Sequence, residues 1–154
     1  MFSNTVEYAL RAVVYIAMHP ESRLSSGTIA EHTKSPSGYV SKVLNDLVLA
    51  KIITSRRGPH GGFELARPAS KISVLEVVNA VDPIERIRTC PLGVPSHGTS
   101  LCRLHRKLDD AIAMIEKTLA TSSIKEMCEP EKVGGRLIYP TLDAPRAKRD
   151  RPAR

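Results

Sequence analysis

Apolar and polar positions alternate with the period of an α-helix through much of the first fifty residues. Residues 4–18 form the first such segment, with apolar positions at Val6, Leu10, Val13, Val14 and Ala17. Residues 37–49 form another, with apolar positions at Val40, Val43, Leu44, Leu47 and Val48. Each pattern predicts a helix that packs by one face. With no Trp, two Phe and four Tyr in the whole chain, the shared core must be aliphatic.

A shorter helix is expected just before residue 37. Ser25 suits its N-cap and precedes the apolar Ile29 and Ala30, whereas residues 33–36 break the pattern. Ser35 fits the N-cap of the following helix and Pro36 its first position, because proline has no N–H to leave unpaired there. Two short helices joined by a tight break predict a helix-turn-helix.

Residues 51–65 predict a β-hairpin with a positively charged turn. Apolar runs at 51–53 and 63–65 flank a segment that holds three glycines, two arginines and a histidine. Arginine at such a turn suits DNA phosphates or a narrow minor groove. Helix, turn, helix and basic hairpin is the order of a winged helix-turn-helix. The alternative is a helical domain with an ordinary surface hairpin.

The remaining chain predicts a short helix, a loop, a long helix and a tail. Ser73 and Glu76 form a capping-box pattern at the start of a helix that ends before Asp82 and Pro83. The long helix, over residues 101–120, carries an apolar stripe of Leu101, Leu104, Leu108, Ala111 and Ile115. A second copy of the chain is the simplest cover for this stripe, so a homodimer is expected. The alternative is a helix that packs back onto its own domain.

The fold expected from these patterns is mainly α with a small β-hairpin wing, a winged helix-turn-helix followed by a long C-terminal dimerisation helix. The predicted divisions are a DNA-binding domain over residues 1–83, a loop over 84–100, a dimerisation helix over 101–125 and a disordered basic tail over 126–154. The tail is rich in Pro and Arg and lacks periodicity.

Composition narrows the functional classes. The chain has 154 residues, and 23 Lys and Arg against 16 acidic residues give a net charge of +7. This surplus favours a polyanionic partner such as double-stranded DNA. With no export signal and no apolar run of about 18 residues, a cytoplasmic protein is expected. The sequence has no Gly-rich phosphate loop or nucleophile elbow, which argues against an enzyme.

Several motifs resemble one family. Residues 7–12 (EYALRA), 57–66 (RGPHGGFELA) and 72–82 (ISVLEVVNAVD) resemble the Rrf-two family of winged-helix regulators. That family includes regulators of iron–sulfur assembly, nitric-oxide-sensing repressors and cysteine-metabolism repressors. The resemblance implies a homodimeric bacterial transcription regulator, a repressor, whose second motif helix enters the major groove while the wing reaches the minor groove.

The resemblance also implies which residues contact DNA. On the recognition helix they are Ser37, Tyr39, Ser41 and Lys42, and on the wing they are Arg56, Arg57, His60 and Gly61. Lysine and arginine would contact phosphates or the minor groove, which sets affinity and its salt dependence. The alternative for any one of these residues is an ordinary solvated surface, whereas as a group they favour DNA contact.

A sensor site is implied in the loop before the long helix. Family members with an iron–sulfur cluster place three cysteines there, with five residues between neighbours. Cys90 and Cys102 fill the outer positions, but Ser96 stands in the middle one. His97 and His105 are further candidate ligands close by. Glu7 matches a position from which some members draw a carboxylate of the partner's N-terminal helix, and it is equally suited to an ion pair with Arg11.

These ligand types leave several cofactors open. Thiolate and imidazole suit an iron–sulfur cluster, of the two-iron rather than the four-iron type, and a Cys2His2 zinc site would use the same groups. A redox switch of the thiols themselves is an alternative. So is a regulator with no cofactor, which takes its signal from a small molecule or a protein partner. Cys128 lies outside the loop pattern and is expected to be a free thiol.

Overall fold

The computed structural model describes residues 2–93 and 100–138. Its helices are α1 (Asn4–Ala17), α2 (Ser26–Thr33), α3 (Ser37–Leu49), α4 (Val74–Val81), α5 (Arg103–Thr121) and α6 (Ile124–Met127). Its strands are β1 (Ile53–Arg56), β2 (Gly62–Leu65), β3 (Glu131–Val133) and β4 (Arg136–Ile138), and a 3-10 turn spans Ala69–Lys71.

Helix α1 is the centre of the domain, because it contacts α2, α3, α4 and α6. The core around it is aliphatic, as the composition requires. Its largest fully buried side chains are Ile16, Ile29, Leu44, Leu47, Ile52, Ile53, Ile72 and Ile124. Since the buried positions of α3 all lie on one face, the opposite face of that helix is left at the surface.

The helix-turn-helix forms as predicted, with one difference at its turn. Ser25 caps α2, since its Oγ accepts a hydrogen bond from the Thr28 N–H at 3.1 Å. Ser35 does not cap α3: the N-cap is Pro36, which offers no side-chain hydrogen bond. The Ser35 hydroxyl is buried and instead accepts from Thr33 Oγ1 at 3.0 Å. The predicted cap is therefore wrong, because the serine closes the turn rather than the helix.

The wing is a short antiparallel hairpin of β1 and β2, in which Ile53 pairs with Leu65. Leu24 extends this hairpin by a single-residue bridge to Phe63 of β2. The Leu24 N–H donates to the Phe63 carbonyl at 3.1 Å, and the Phe63 N–H donates to the Leu24 carbonyl at 2.8 Å. Gly62 lies against the Leu24 backbone with a φ of +140°, and a Cβ there would come within 2.8 Å of the Leu24 carbonyl oxygen. The glycines thus allow the wing to pack closely on the segment between α1 and α2.

Helix α5 contacts α4, and the chain that follows it returns to the core. The chain after α5 adds a bridge to the start of α4, where Ile124 N–H donates to Ile72 O at 2.8 Å and Val74 N–H donates to Ser122 O at 2.9 Å. Ile124 is buried in the core. The predicted capping box of Ser73 and Glu76 is present at this bridge. The C-terminal end of α5 is therefore fixed to the core around α1.

The predicted tail is partly structured. Residues 126–138 complete α6 and form the β3–β4 hairpin, which turns at Gly134 and Gly135 with φ of +57° and +81°. The expectation of disorder from residue 126 is wrong over residues 126–138. Gly134 and Gly135 permit a tight turn between two short strands, which the Pro- and Arg-rich composition of the tail did not indicate. The tail arginines after residue 138 lie outside the described residues. Within residues 2–93 and 100–138, no helix is long and apolar enough to cross a bilayer.

Candidate functional site

The outward face of α3 carries the residues predicted to contact DNA. Ser37, Tyr39, Ser41 and Lys42 are all exposed there. Tyr39 is 58% exposed, and its ring lies 6.1 Å from that of Tyr8 on α1. Ser41 Oγ donates to the Ser37 carbonyl at 3.2 Å, so its lone pairs are what it can offer to a ligand. A helix face with short polar groups and an aromatic ring suits the major groove.

The wing carries its predicted DNA-contact residues at the end of β1 and in the turn that follows it. Arg56, Arg57 and His60 are exposed, whereas Gly61 is half-buried in the turn. A Cβ on Gly61 would overlap the carbonyl oxygen of Arg56, so a side chain is excluded there. The glycine therefore shapes the turn and offers only its backbone to a ligand, while the two arginines can reach phosphates.

Three potential metal ligands come together where the loop meets α5. Cys102 is the N-cap of α5, and His105 lies in the first turn. The Nδ1 of His105 is 3.1 Å from Cys102 Sγ and 3.6 Å from Cys90 Sγ. One ligand atom from each of the three residues lies within 4.8 Å of the other two. We call Cys90, Cys102 and His105 the Cys/His group.

The donor set of the Cys/His group fits iron or zinc. Two thiolates and an imidazole are ligands for both metals. Around one tetrahedral ion, a thiolate sulfur and an imidazole nitrogen are separated by about 3.6 Å. The distances of 3.1 and 3.6 Å in the group are close to this value. Three protein ligands leave one tetrahedral position to a further group.

The N-terminus of α5 favours the thiolate of Cys102. Its pKa falls to about 7, mainly because the His105 backbone N–H bonds to the sulfur, with further help from the His105 side chain. Burial opposes this shift but is weaker. Thiolate is the form that ligates metal and reacts with oxidants. The lowered pKa therefore favours the thiolate of Cys102, the form that a ligand or redox site requires.

A second contact joins the loop to α5. Arg86 forms a bidentate pair with Asp109, with Nε to Oδ1 at 2.7 Å and Nη2 to Oδ2 at 2.6 Å. Its Nη1 also reaches Glu116 Oε2 at 3.2 Å, and the Ile87 N–H donates to Asp109 Oδ1 at 3.0 Å. The guanidinium of Arg86 lowers the pKa of Asp109. We call Arg86, Asp109 and Glu116 the Arg86 latch.

Sequence reasoning missed the Arg86 latch. One arginine in a loop and two acidic residues on a helix are common in any sequence, and their spacing of 23 and 30 residues carries no periodic signal. Only the path of the loop along α5 brings them together. Tyr8, which supports Tyr39, was likewise not singled out as a site residue.

Helix α5 presents two neighbouring faces. At about 100° per residue, His105, Asp109 and Glu116 share one side of the helix, and the apolar stripe shares the adjacent side. No residue of α5 is buried within a single chain. Leu104 is 62% exposed, Leu108 46% and Met114 72%. One side of α5 thus binds the loop, and a partner could cover the exposed apolar residues on the adjacent side.

The other candidate ligands lie elsewhere or outside the described residues. Glu7 pairs with Arg11 at 2.8 Å on α1, as its alternative role predicted. His97 and Ser96 fall in the segment 94–99, outside the described residues. Cys128 is half-buried under α6, with Sγ 3.2 Å from the Ile124 carbonyl oxygen. Burial raises the pKa of Cys128 to about 11, so this thiol is poorly reactive.

Known proteins are similar to this chain in sequence and in architecture. The profile of the Rrf2 (Rrf-two) family, described as an iron-dependent transcriptional regulator, matches residues 2–130. A protein of Aquifex aeolicus (strain VF5), described as a candidate HTH-type transcriptional regulator, is 27% identical over 135 residues. The match covers 86% of this chain and 94% of that protein.

Two solved structures have the same fold. CymR (YrzC), the global cysteine regulator of B. subtilis, matches with a TM-score of 0.69 and 17% identity over 82% of this chain and 95% of its own. IscR of T. potens matches with a TM-score of 0.68 and 21% identity over 82% of this chain and 85% of its own. These matches confirm the expected mainly α fold with a hairpin wing and a long C-terminal helix.

Proposed function

Because the chain belongs to the Rrf2 family of transcriptional regulators, we propose that it binds operator DNA as a cytoplasmic homodimer and represses transcription under control of the Cys/His group. The family resemblance of the motifs is thereby confirmed, and the chain is a regulator rather than an enzyme. The observation that carries the sensing proposal is the meeting of Cys90, Cys102 and His105 within 4.8 Å at the start of α5.

The proposed DNA surface combines the outward face of α3 with the wing. Ser37, Tyr39 and Ser41 are exposed where base edges would be read, and Lys42, Arg56 and Arg57 are exposed where phosphates would be met. A dimer presents two such surfaces about one helical turn of DNA apart, roughly 34 Å. Covering the operator excludes other proteins from the same DNA, which is the simplest form of repression.

The proposed dimer uses the apolar stripe of α5. Leu104, Leu108 and Ala111 of the stripe are exposed in one chain, and a two-fold related copy would cover them with the same residues. The C-terminal end of α5 is fixed to the core by the bridge at Ile72 and Ile124. Consequently, the orientation of α5 on its domain determines the separation of the two recognition helices.

The proposed cofactor is a two-iron iron–sulfur cluster held by Cys90, Cys102 and His105. When bound, such a cluster supplies a link whose stability depends on oxidants, nitric oxide and iron supply. The residues themselves provide the coupling, because Cys90 follows α4 while Cys102 and His105 open α5. Ligands on both segments would restrain the start of α5 relative to the DNA-binding domain. His97 and a partner's Glu7 remain candidates for a further ligand.

A thiol switch is the second candidate. Cys90 Sγ and Cys102 Sγ lie within 4.8 Å, and the N-terminus of α5 lowers the pKa of Cys102 to about 7. A disulfide between them would link the same two segments without a metal. This candidate requires the same residues but predicts neither iron nor sulfide.

Purification without oxygen tests the cofactor. We expect a coloured protein with about two iron and two sulfide per chain, as a two-iron cluster requires. Cys90→Ser and Cys102→Ser are expected to lose most of both, whereas Cys128→Ser, a matched thiol outside the group, retains them. Zinc without iron would favour a single-ion site, and a metal-free protein that forms the Cys90–Cys102 disulfide would favour the thiol switch.

A further inference from the structure

The Arg86 latch and the Cys/His group join the same two segments of the chain. Arg86 and Ile87 bond to Asp109, and only Arg88 and Thr89 separate Ile87 from Cys90. On the other side, Asp109 lies one helical turn after His105, a rise of about 6 Å. The latch thus holds the loop at Ile87, with two residues between it and Cys90, and holds α5 one turn after His105.

We propose that Arg86 is a positioning residue for the Cys/His group, a proposal that rests on the function proposed above. By holding residues 86–87 against α5, the latch leaves a two-residue tether to Cys90. Without it, the tether would begin at Ile84, whose N–H donates to Asn79 Oδ1 of α4 at 3.1 Å, and would span five residues, 85–89. A shorter tether raises the effective concentration of the Cys90 thiol beside Cys102 and His105.

The geometry of the latch favours such a role over a general surface ion pair. Both Asp109 oxygens accept from the guanidinium, and Oδ1 also accepts the Ile87 N–H. Bidentate arginine–carboxylate pairs fix orientation as well as distance. The side chain of Asp109 is 16% exposed and that of Arg86 35%, so the carboxylate is the more enclosed partner of the pair. The backbone at Ile87, and not only a flexible side chain, is therefore held.

The latch also separates two kinds of restraint on α5. The ion pair does not depend on metal or on thiol oxidation, whereas the Cys/His group does. When the group changes state, the helix stays bound at Asp109 and Glu116, and only the segment around Cys90 and the first turn of α5 is released. A signal at the group would thus act as a local change at the start of α5 and not as loss of the whole helix.

Cobalt(II) titration of the full-length protein tests the proposal, because its visible absorption reports thiolate ligands directly. We expect Arg86→Gln and Asp109→Asn each to weaken cobalt binding about ten-fold, because lengthening the tether from two to five residues costs about four-fold in chain entropy and the loss of a fixed orientation adds to it. Arg88→Gln removes the same charge two residues nearer to Cys90 but breaks none of the latch hydrogen bonds, so it should stay within about two-fold. Arg86→Lys retains the charge but cannot form the bidentate pair, so its cobalt affinity should lie between those of the wild type and Arg86→Gln.

The latch variants should also be non-additive. Once Asp109→Asn has removed the carboxylate, Arg86→Gln is expected to add little, because both substitutions break the same pair. If the latch had only a structural role, Arg86→Gln and Asp109→Asn would lower the thermal stability of the protein but leave its cobalt spectrum unchanged. The non-additivity would then be absent from cobalt binding. Equal cobalt affinity in the wild type and Arg86→Gln would overturn the proposal while leaving the proposed function intact.

A metal-free measurement separates failure of the latch from failure of the proposed cofactor. In a Cys128→Ser background, equilibration with glutathione oxidises Cys90 and Cys102 to one disulfide as one glutathione disulfide is reduced to two thiols. The equilibrium constant gives the effective concentration of the two thiols. We expect Arg86→Gln to lower it about ten-fold even if the wild type binds no cobalt. If Arg86→Gln leaves this constant unchanged and the wild type binds no cobalt, both the positioning role of Arg86 and the proposed metal cofactor are refuted.

Discussion

Gly61→Ala is expected to lower operator affinity by a hundred-fold or more. A Cβ at this position would overlap the Arg56 carbonyl oxygen and lie 2.9 Å from the Gly58 carbonyl oxygen. The atoms that it would meet all belong to the backbone, so no movement of a flexible side chain can relieve the overlap. The wing turn must therefore open, and Arg56, Arg57 and His60 lose their placement together. Because several phosphates lose their protein partners at once, the effect on affinity is large.

The measurement is binding to a selected operator by fluorescence anisotropy at several salt concentrations. With fewer phosphates neutralised by the wing, the salt dependence of binding should also decrease. Gly27→Ala is the matched control, since a Cβ there meets only Ser25 Oγ at 3.8 Å and alanine favours a helix. Wild-type affinity and salt dependence in Gly61→Ala would show that the wing does not contribute to DNA binding.

Leu108→Glu is expected to raise the dimer dissociation constant on the order of a thousand-fold. Leu108 lies in the middle of the apolar stripe and is 46% exposed in a single chain. In a two-fold dimer the change occurs twice. Because just under half of the side chain is left for the interface to bury, each copy loses about 1 kcal/mol of apolar burial, and placing a carboxylate in the interface costs about 1 kcal/mol or more in addition. Operator affinity should fall as well, because one recognition helix alone binds half a site.

Analytical ultracentrifugation over a range of concentrations measures the dissociation constant. Lys117→Glu supplies the control, because it adds a glutamate to the same helix about 180° away from the stripe. It should leave the dimer intact. A Leu108→Glu protein that remains dimeric at wild-type concentrations would place the dimer interface elsewhere, and the exposed stripe would then need another explanation.

The fold was predictable because its signals are local. Val40, Val43, Leu44 and Leu47 determine the buried face of α3 by spacing alone, and each is buried. The capping box of Ser73 and Glu76 likewise depends on residues three apart. Errors occurred where two local signals compete. Ser35 has the residue type of an N-cap, but its hydroxyl bonds within the turn, to Thr33.

The candidate site was predictable only in part. Cys90, Cys102 and His105 were identified through a family pattern, and the structure brings all three together. The DNA-contact residues remain predictions, although those on α3 share an exposed face. The Arg86 latch depends on how the loop runs along α5, a long-range property that residue types do not encode in a single sequence. The return of the chain through Ile124 to the core was missed for the same reason.

The most direct test of the central claim is operator affinity as a function of the state of the Cys/His group. Operator DNA would be selected from random sequences with anaerobically purified protein and then bound by the metal-loaded and the chelator-treated forms. The account predicts that the two affinities differ by about ten-fold or more, a typical coupling between sites. It also predicts that the difference disappears in Cys102→Ser and persists in Cys128→Ser. Equal affinities of the two wild-type forms would contradict control by the Cys/His group, even if DNA binding itself is tight.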